Sequence, residues 1–198
     1  MKTVTCYMHP ASPWAYLGHE RFAAIAARHA ATIELCPIDL GGRVFPVSGG
    51  LPLPKRSPQR RAYRLVELRR WSAWLGVPLK PEPAHFPVDG TDASRVIALA
   101  GRDAGAGAAM RLAGLVMKGV WADELDIADH ATLRAMIDAC GLDGRALLDA
   151  RHEADPLIDE YTTRALADQV FGVPWYVHAG EPFWGQDRLD FLDRALAT

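Results

Sequence analysis

Ala11-Ser12-Pro13-Trp14-Ala15-Tyr16-Leu17 is the stretch on which the rest of the chain turns. Proline suits the first position of a helix, where its missing N–H is not needed, so Pro13 marks a helix start and Ser12 its N-cap. Trp14, Gly18, Phe22 and Ile25 then recur at steps of three and four, which gives that helix one buried face. The first turn of a helix carries unpaired N–H donors and a partial positive charge, a setting that holds anions. A Ser-Pro pair alone is an ordinary cap, so a chemical role for Ser12 has to be supported from elsewhere in the chain.

Working outward, Val4 to Met8 reads as a short strand that feeds the helix through the turn His9-Pro10, and Thr32 to Ile38 reads as a second strand. Strand, helix and strand in so short a span imply a parallel pair with a right-handed crossover. Asp39 to about Ser57, with Gly41-Gly42, Gly49-Gly50 and prolines at 46, 52 and 54, reads as a long loop. A helix follows from Pro58 to about Leu75, with Leu65, Leu68, Trp71 and Leu75 on one side. Arg60, Arg61, Arg64, Arg69 and Arg70 lie between them and read as a solvated face. Asp92 to about Trp121 is helical with a break near Gly101, Gly105 and Gly107, and Met110, Ala113, Met117, Val120 and Trp121 form a core stripe. Further helices fit His130 to Cys140, Gly144 to His152 and Asp155 to about Gln169. The end reverts to strands, Trp175 to His178 and Pro182 to Trp184, joined by Ala179-Gly180-Glu181, before a last helix from Gln186 to Ala197. This order predicts an α/β, thioredoxin-like fold with an all-helical domain inserted between the βαβ half and the ββα half. The expected division is residues 1–40 with 170–198, and 41–169.

Composition narrows the function classes. At 198 residues, 49% of them hydrophobic, the chain has enough apolar material for a substantial core. A net charge of −2 gives no reason to expect nucleic acid or an anionic membrane surface as partner. Cys6, Cys36 and Cys140 are widely spaced, form no CxxC pair and match no zinc-ligand pattern, so no metal site is expected. The start of the chain runs straight into a strand pattern and no apolar run reaches membrane-spanning length; the expected location is the cytoplasm.

Four stretches carry a resemblance to a known family. They are Ser12-Pro13-Trp14-Ala15-Tyr16-Leu17, the helix from Tyr63 ending in Leu75-Gly76-Val77-Pro78, Val170-Phe171-Gly172-Val173-Pro174, and Phe183-Trp184-Gly185-Gln186-Asp187-Arg188-Leu189. In order and spacing the chain resembles the 2-hydroxychromene-2-carboxylate isomerases, relatives of the kappa-class glutathione transferases and of DsbA-type oxidoreductases. The resemblance implies a cis peptide at Val173-Pro174, a homodimer, and glutathione as cofactor. It also implies conversion of 2-hydroxychromene-2-carboxylate to trans-o-hydroxybenzylidenepyruvate in aromatic degradation.

In the thiol oxidoreductase relatives the two cysteines of CxxC sit where this chain has Ser12 and Ala15, so thiol–disulfide exchange lacks its attacking sulfur here. A site without sulfur suits a borrowed thiol. Ser12 is the expected catalytic residue, donating a hydrogen bond to the glutathione thiolate. Val173 and Pro174 are expected to pair with the cysteinyl backbone, and Gln186, Asp187 and Arg188 to meet the γ-glutamyl end. Trp14, Trp175 and Trp184 are the expected walls for a flat aromatic substrate, with Arg60 as partner for its carboxylate. Relatives often carry an acidic residue where this chain has His9, and an asparagine in the loop before the helix at Pro58, whereas this chain has no asparagine. A kappa-like glutathione transferase and a non-catalytic module binding peptides or glutathione remain alternatives. A serine hydrolase lacks its Gly-x-Ser-x-Gly elbow.

Overall fold

Successive side chains of a strand point to opposite faces, and the first strand, β1 (Thr3–Met8), uses both. Val4, Cys6 and Met8 enter the larger core cluster, while Tyr7 points the other way into a smaller one with Cys36, Ile38, Val173 and Trp175. A sheet covered on both faces explains why the strands read as apolar runs rather than as strict alternation. The structure, a computed structural model, describes residues 1–198.

Strand β2 (Thr32–Pro37) pairs parallel to β1, with Thr3 opposite Thr32 and Met8 opposite Pro37. β3 (Trp175–His178) runs antiparallel to β1, and β4 (Glu181–Trp184) antiparallel to β3, giving the order β2-β1-β3-β4. Ala179 and Gly180, both at positive φ, make the hairpin turn as a two-residue connection. Between β2 and β3 every regular element is helical, the arrangement expected for a thioredoxin-like fold with a helical insertion.

The first helix, α1 (Pro13–Arg28), crosses from β1 to β2, and its end is tied to the last helix by Arg28 and His29, which both bond Asp193. Residues 39–57 do not form the irregular loop that their glycines and prolines suggested. Asp39 caps a five-residue π-helical turn, Leu40–Val44, by accepting from the Gly42 N–H at 2.7 Å. A four-residue helix, α2 (Phe45–Ser48), follows, with Pro46 in its first turn, where a missing N–H does no harm. Leu53–Lys55 is a 3-10 turn.

The helix α3 (Pro58–Leu75) has the bounds read from sequence, between a Ser57 N-cap and Gly76 at φ 65°. One feature of it differs: Leu68 and Arg64 are its two buried side chains, so the arginines do not all belong to a solvated face. The long alanine-rich stretch is two helices, α4 (Thr91–Ala104) and α5 (Ala106–Trp121), broken at Gly105. Met110, Ala113, Met117, Val120 and Trp121 are all buried. Three shorter helices follow, α6 (His130–Ala139), α7 (Gly144–Asp149) and α8 (Asp155–Ala167). The end of the chain is a 3-10 turn, Gln186–Arg188, leading into α9 (Leu189–Ala197), whose Leu189, Leu192 and Leu196 are fully buried. No helix is long and apolar enough to cross a membrane.

Candidate active site

Ser12 lies where β1 has just ended and α1 begins, and the local sequence holds it there tightly. Its N–H donates to the His9 carbonyl at 2.9 Å, its carbonyl accepts the Tyr16 N–H, and its Oγ accepts the Ala15 N–H at 3.2 Å as a true N-cap. The hydroxyl proton points to the Val173 carbonyl across 3.4 Å, a long and weak bond. Ser57 makes the same kind of cap on α3 but stands in solvent, whereas Ser12 is 7% exposed and lines a cleft of about 1080 Å³. The two Ser-Pro caps are alike in sequence and differ in surroundings.

The peptide bond Val173-Pro174 is cis, as is Phe86-Pro87. Val173 lines the cleft beside Ser12, and no carbonyl of the chain accepts its N–H. Gln186 also lines the cleft, 2% exposed, and its Oε1 is buried without a hydrogen-bond partner. Close approach of α1 puts it there: a Cβ on Gly18 would meet the Gln186 Cβ at 2.7 Å. Asp187 and Arg188 stand exposed at the rim and pair with each other.

Trp14 and Trp184 line the cleft, Trp184 half exposed, and Arg60 lies exposed on its rim. Trp175 does not line it. Its parity in β3 turns it onto the face of Tyr7, where it is 5% exposed beneath Phe171, whose ring meets it edge-on at 4.9 Å. Phe171 also meets Trp184 at 4.6 Å and takes the wall position expected of Trp175. Pro174, next after Val173, does not itself line the cleft.

Sequence reasoning passed over Phe86, Arg56 and Arg64, all of which line the cleft. Arg64 carried a signal: it stands four residues before Leu68 and seven before Trp71, on the apolar side of α3. Its Cζ lies 5.2 Å from the Phe86 centroid and 5.4 Å from that of Trp121, and burial pushes its pKa down to about 10. His9, at the inner edge, accepts the Ala11 N–H on Nδ1 at 3.2 Å, which puts its proton on Nε2. Burial pushes the pKa of His9 down and outweighs the nearby Asp39 and Asp89, so its ring is neutral at pH 7.

The charges facing the cleft do not balance. Of its two carboxylates, Asp187 is paired with Arg188, and Glu67 with Arg70 one turn along the helix. Arg56, Arg60 and Arg64 face the same space with no carboxylate paired to any of them. An apolar, aromatic cleft with a surplus of arginine suits a flat anion.

Comparison with known proteins gives the family and the fold. Residues 3–197 match the family model of the DSBA-like thioredoxin domain. Over 199 residues, covering 98% of both chains, the sequence is 30% identical to a 2-hydroxychromene-2-carboxylate isomerase of Sphingobium xenophagum. The chain belongs to this isomerase family. A solved 2-hydroxychromene-2-carboxylate isomerase superposes with a TM-score of 0.83 at 27% identity, over 98% of this chain and 94% of that one. The cytosolic disulfide reductase DsbM of Pseudomonas aeruginosa, solved with GSH, shares the fold at a TM-score of 0.66 and 17% identity, covering 99% of this chain and 100% of that one.

Proposed function

We propose that this member of the isomerase family is glutathione-dependent and interconverts 2-hydroxychromene-2-carboxylate and trans-o-hydroxybenzylidenepyruvate. The observation that carries the reading is the Ser12 hydroxyl, buried at a helix N-terminus on the wall of an arginine-rich cleft that no cysteine lines. The residues fit glutathione by a separate test. The Val173 N–H and the Gln186 Oε1 are a donor and an acceptor left without partners beside the same cleft, and a peptide-like ligand satisfies both kinds of group.

When bound, glutathione would supply a thiolate able to add to the conjugated side-chain double bond, with the electron pair moving to the carbonyl oxygen, and to leave again after rotation so that the double bond re-forms and the thiol is returned. The chain's own part is electrostatic. Ser12 Oγ turns its proton from the weak 3.4 Å bond to Val173 toward the sulfur, and the first turn of α1, where Pro13 has no N–H and Ala15 is already bonded to Ser12, adds its positive end. Val173 holds the cysteinyl backbone with Pro174 behind it, while Gln186, Asp187 and Arg188 hold the γ-glutamyl end. Trp14, Trp184 and Phe171 wall the aromatic ring and exclude water, and Arg60 draws the anion in from the rim. The reading places the protein in a reducing cytoplasm, where its three unpaired cysteines and a thiol cofactor both persist. The resemblance adds a homodimer, for which the exposed Tyr63, Val66 and Trp74 of α3 offer an apolar face.

The test is conversion of 2-hydroxychromene-2-carboxylate, followed by its ultraviolet spectrum with and without glutathione. Acceleration by glutathione with no net thiol consumption is the expected result. Accumulation of a stable glutathione adduct points instead to a kappa-like transferase, and indifference to glutathione overturns the proposal.

A further inference from the structure

Of the four arginines that face the cleft, Arg64 alone is buried. Arg64 is a buried cation, 8% exposed, on the inner side of α3, and burial of an unpaired charge is costly unless something is gained by it. Its Nη2 is sheltered from solvent and has no hydrogen-bond partner. No carboxylate forms an ion pair with it; Glu82, the acid nearest in effect, is exposed and acts on it only through space, and Arg56 opposes it in the same way. The rings of Phe86 and Trp121, their centroids 5.2 and 5.4 Å from its Cζ, hold the guanidinium in place before any ligand arrives. Phe86 lines the cleft beside it.

We infer that Arg64, rather than Arg60 at the rim, is the receptor for the carboxylate of a flat aromatic acid, with Phe86 beside it on the cleft wall. The inference rests on the isomerase reading for the identity of the natural acid, and on the structure alone for the site. Arg60 is exposed, so a bond from it to a carboxylate competes with water and is screened by salt. Arg64 acts where water is sparse, and two parallel N–H···O bonds from a pre-set fork supply direction as well as attraction. The carboxylate in turn gives the sheltered cation the acceptor that the chain withholds.

Calorimetry with 2-naphthoate and its neutral counterpart 2-naphthamide tests the site without any turnover. Wild type is expected to prefer the acid. Arg64→Gln, which keeps a planar group over Phe86, is expected to weaken 2-naphthoate by roughly ten- to a hundredfold, the range of a charge-assisted pair, and to leave 2-naphthamide unchanged. Arg64→Lys is expected to recover part of the loss, and Arg60→Met to change it by less than about threefold, as an exposed charge does. Each variant's melting temperature shows that it is folded. Arg64→Gln binding 2-naphthoate as wild type does, Arg60→Met taking the larger loss, or wild type not preferring the acid overturns the inference. So does an Arg64→Gln protein that loses glutathione while keeping 2-naphthoate, since the fork then belongs to the cofactor. Preference for 2-naphthoate that depends on Arg64, with no conversion of the chromene acid, leaves the carboxylate site standing and removes the isomerase reading.

Discussion

Replacing Ser12 by alanine separates the structural work of that hydroxyl from its chemical work. The structural part is the bond from the Ala15 N–H at 3.2 Å, an N-cap whose loss costs about 1 kcal/mol. In a chain of this size that lowers Tm by about 2–4 °C. The 3.4 Å bond to the Val173 carbonyl adds little, being near the limit of hydrogen-bond length. In the proposed reaction the chemical part is a hydroxyl bond to a sulfur anion, worth about 1.5–3 kcal/mol for a charged acceptor. Ser12→Ala is therefore expected to lower turnover at pH 7 by roughly ten- to 150-fold and to raise the pKa of bound glutathione by about one to two units. The sign follows from which form is stabilised: Ser12 favours the thiolate, so its removal favours the thiol, and the pH–rate profile moves to the alkaline side. Calorimetry with glutathione, ultraviolet titration of the bound thiol and turnover across pH read the three quantities separately. A variant that binds glutathione, titrates it as wild type does and keeps its rate refutes the thiolate cradle and leaves Ser12 as a cap.

Three further outcomes follow from particular contacts. Gly18→Ala drives a Cβ to 2.7 Å from the Gln186 Cβ and 3.2 Å from the Tyr176 hydroxyl. Both neighbours are buried, so overpacking of about 1–3 kcal/mol is expected, read as a lower urea midpoint with an unchanged m. Gly172→Ala puts a Cβ 2.8 Å from Trp184 Nε1, and because Trp184 is half exposed its ring can swing aside. KM for the aromatic substrate is expected to rise while stability changes by less than about 0.5 kcal/mol, which denaturant titration checks. Glu34 is held below the usual carboxylate range first by its bonds to Arg164 and then by Thr5, against some desolvation. Its stabilising effect is complete above the unfolded pKa and is lost as pH falls through the lower folded value. The stability gap between wild type and Glu34→Gln should therefore be open at pH 7 and closed at low pH.

How much of this was legible in the sequence depends on whether local rules and tertiary packing agreed. They agreed for α3, where Ser57-Pro58 and Gly76 punctuate both ends, and for the β1-α1-β2 crossover, whose short length leaves one handedness. They disagreed between residues 39 and 57. There Pro46 falls at the one place in a helix that tolerates it, and Asp39 supplies a cap, so a segment rich in breakers still makes three short helical pieces. Of the candidate site, the parts carried by a motif came together: Ser12, Val173 and Gln186 meet at one cleft although 161 positions separate the first two. Trp175 failed because tryptophan identity says nothing about strand parity, whereas the alternation of Tyr7 with Cys6 and Met8 decides which face an aligned β3 residue takes.

Arg64 shows the converse, a residue whose composition class hid its position. Five arginines in one helix read as solvated because arginine is seldom buried, yet helix geometry puts Arg64 on the line of Leu68 and Trp71, and the line outweighs the class. The same weighing applies to the sulfur. The chain holds three thiols, but Cys6 and Cys36 are buried on opposite faces of the sheet with their pKa values pushed up by desolvation, and Cys140 closes α6 away from the cleft. None of them is a ready thiolate at Ser12. A cleft with a helix start suited to an anion, arginines for a second anion and no thiolate of its own is suited to bringing together two acids that both arrive from solution. That requirement, more than the Ser-Pro pair, separates this site from the disulfide chemistry for which the same frame is used elsewhere in the family of folds.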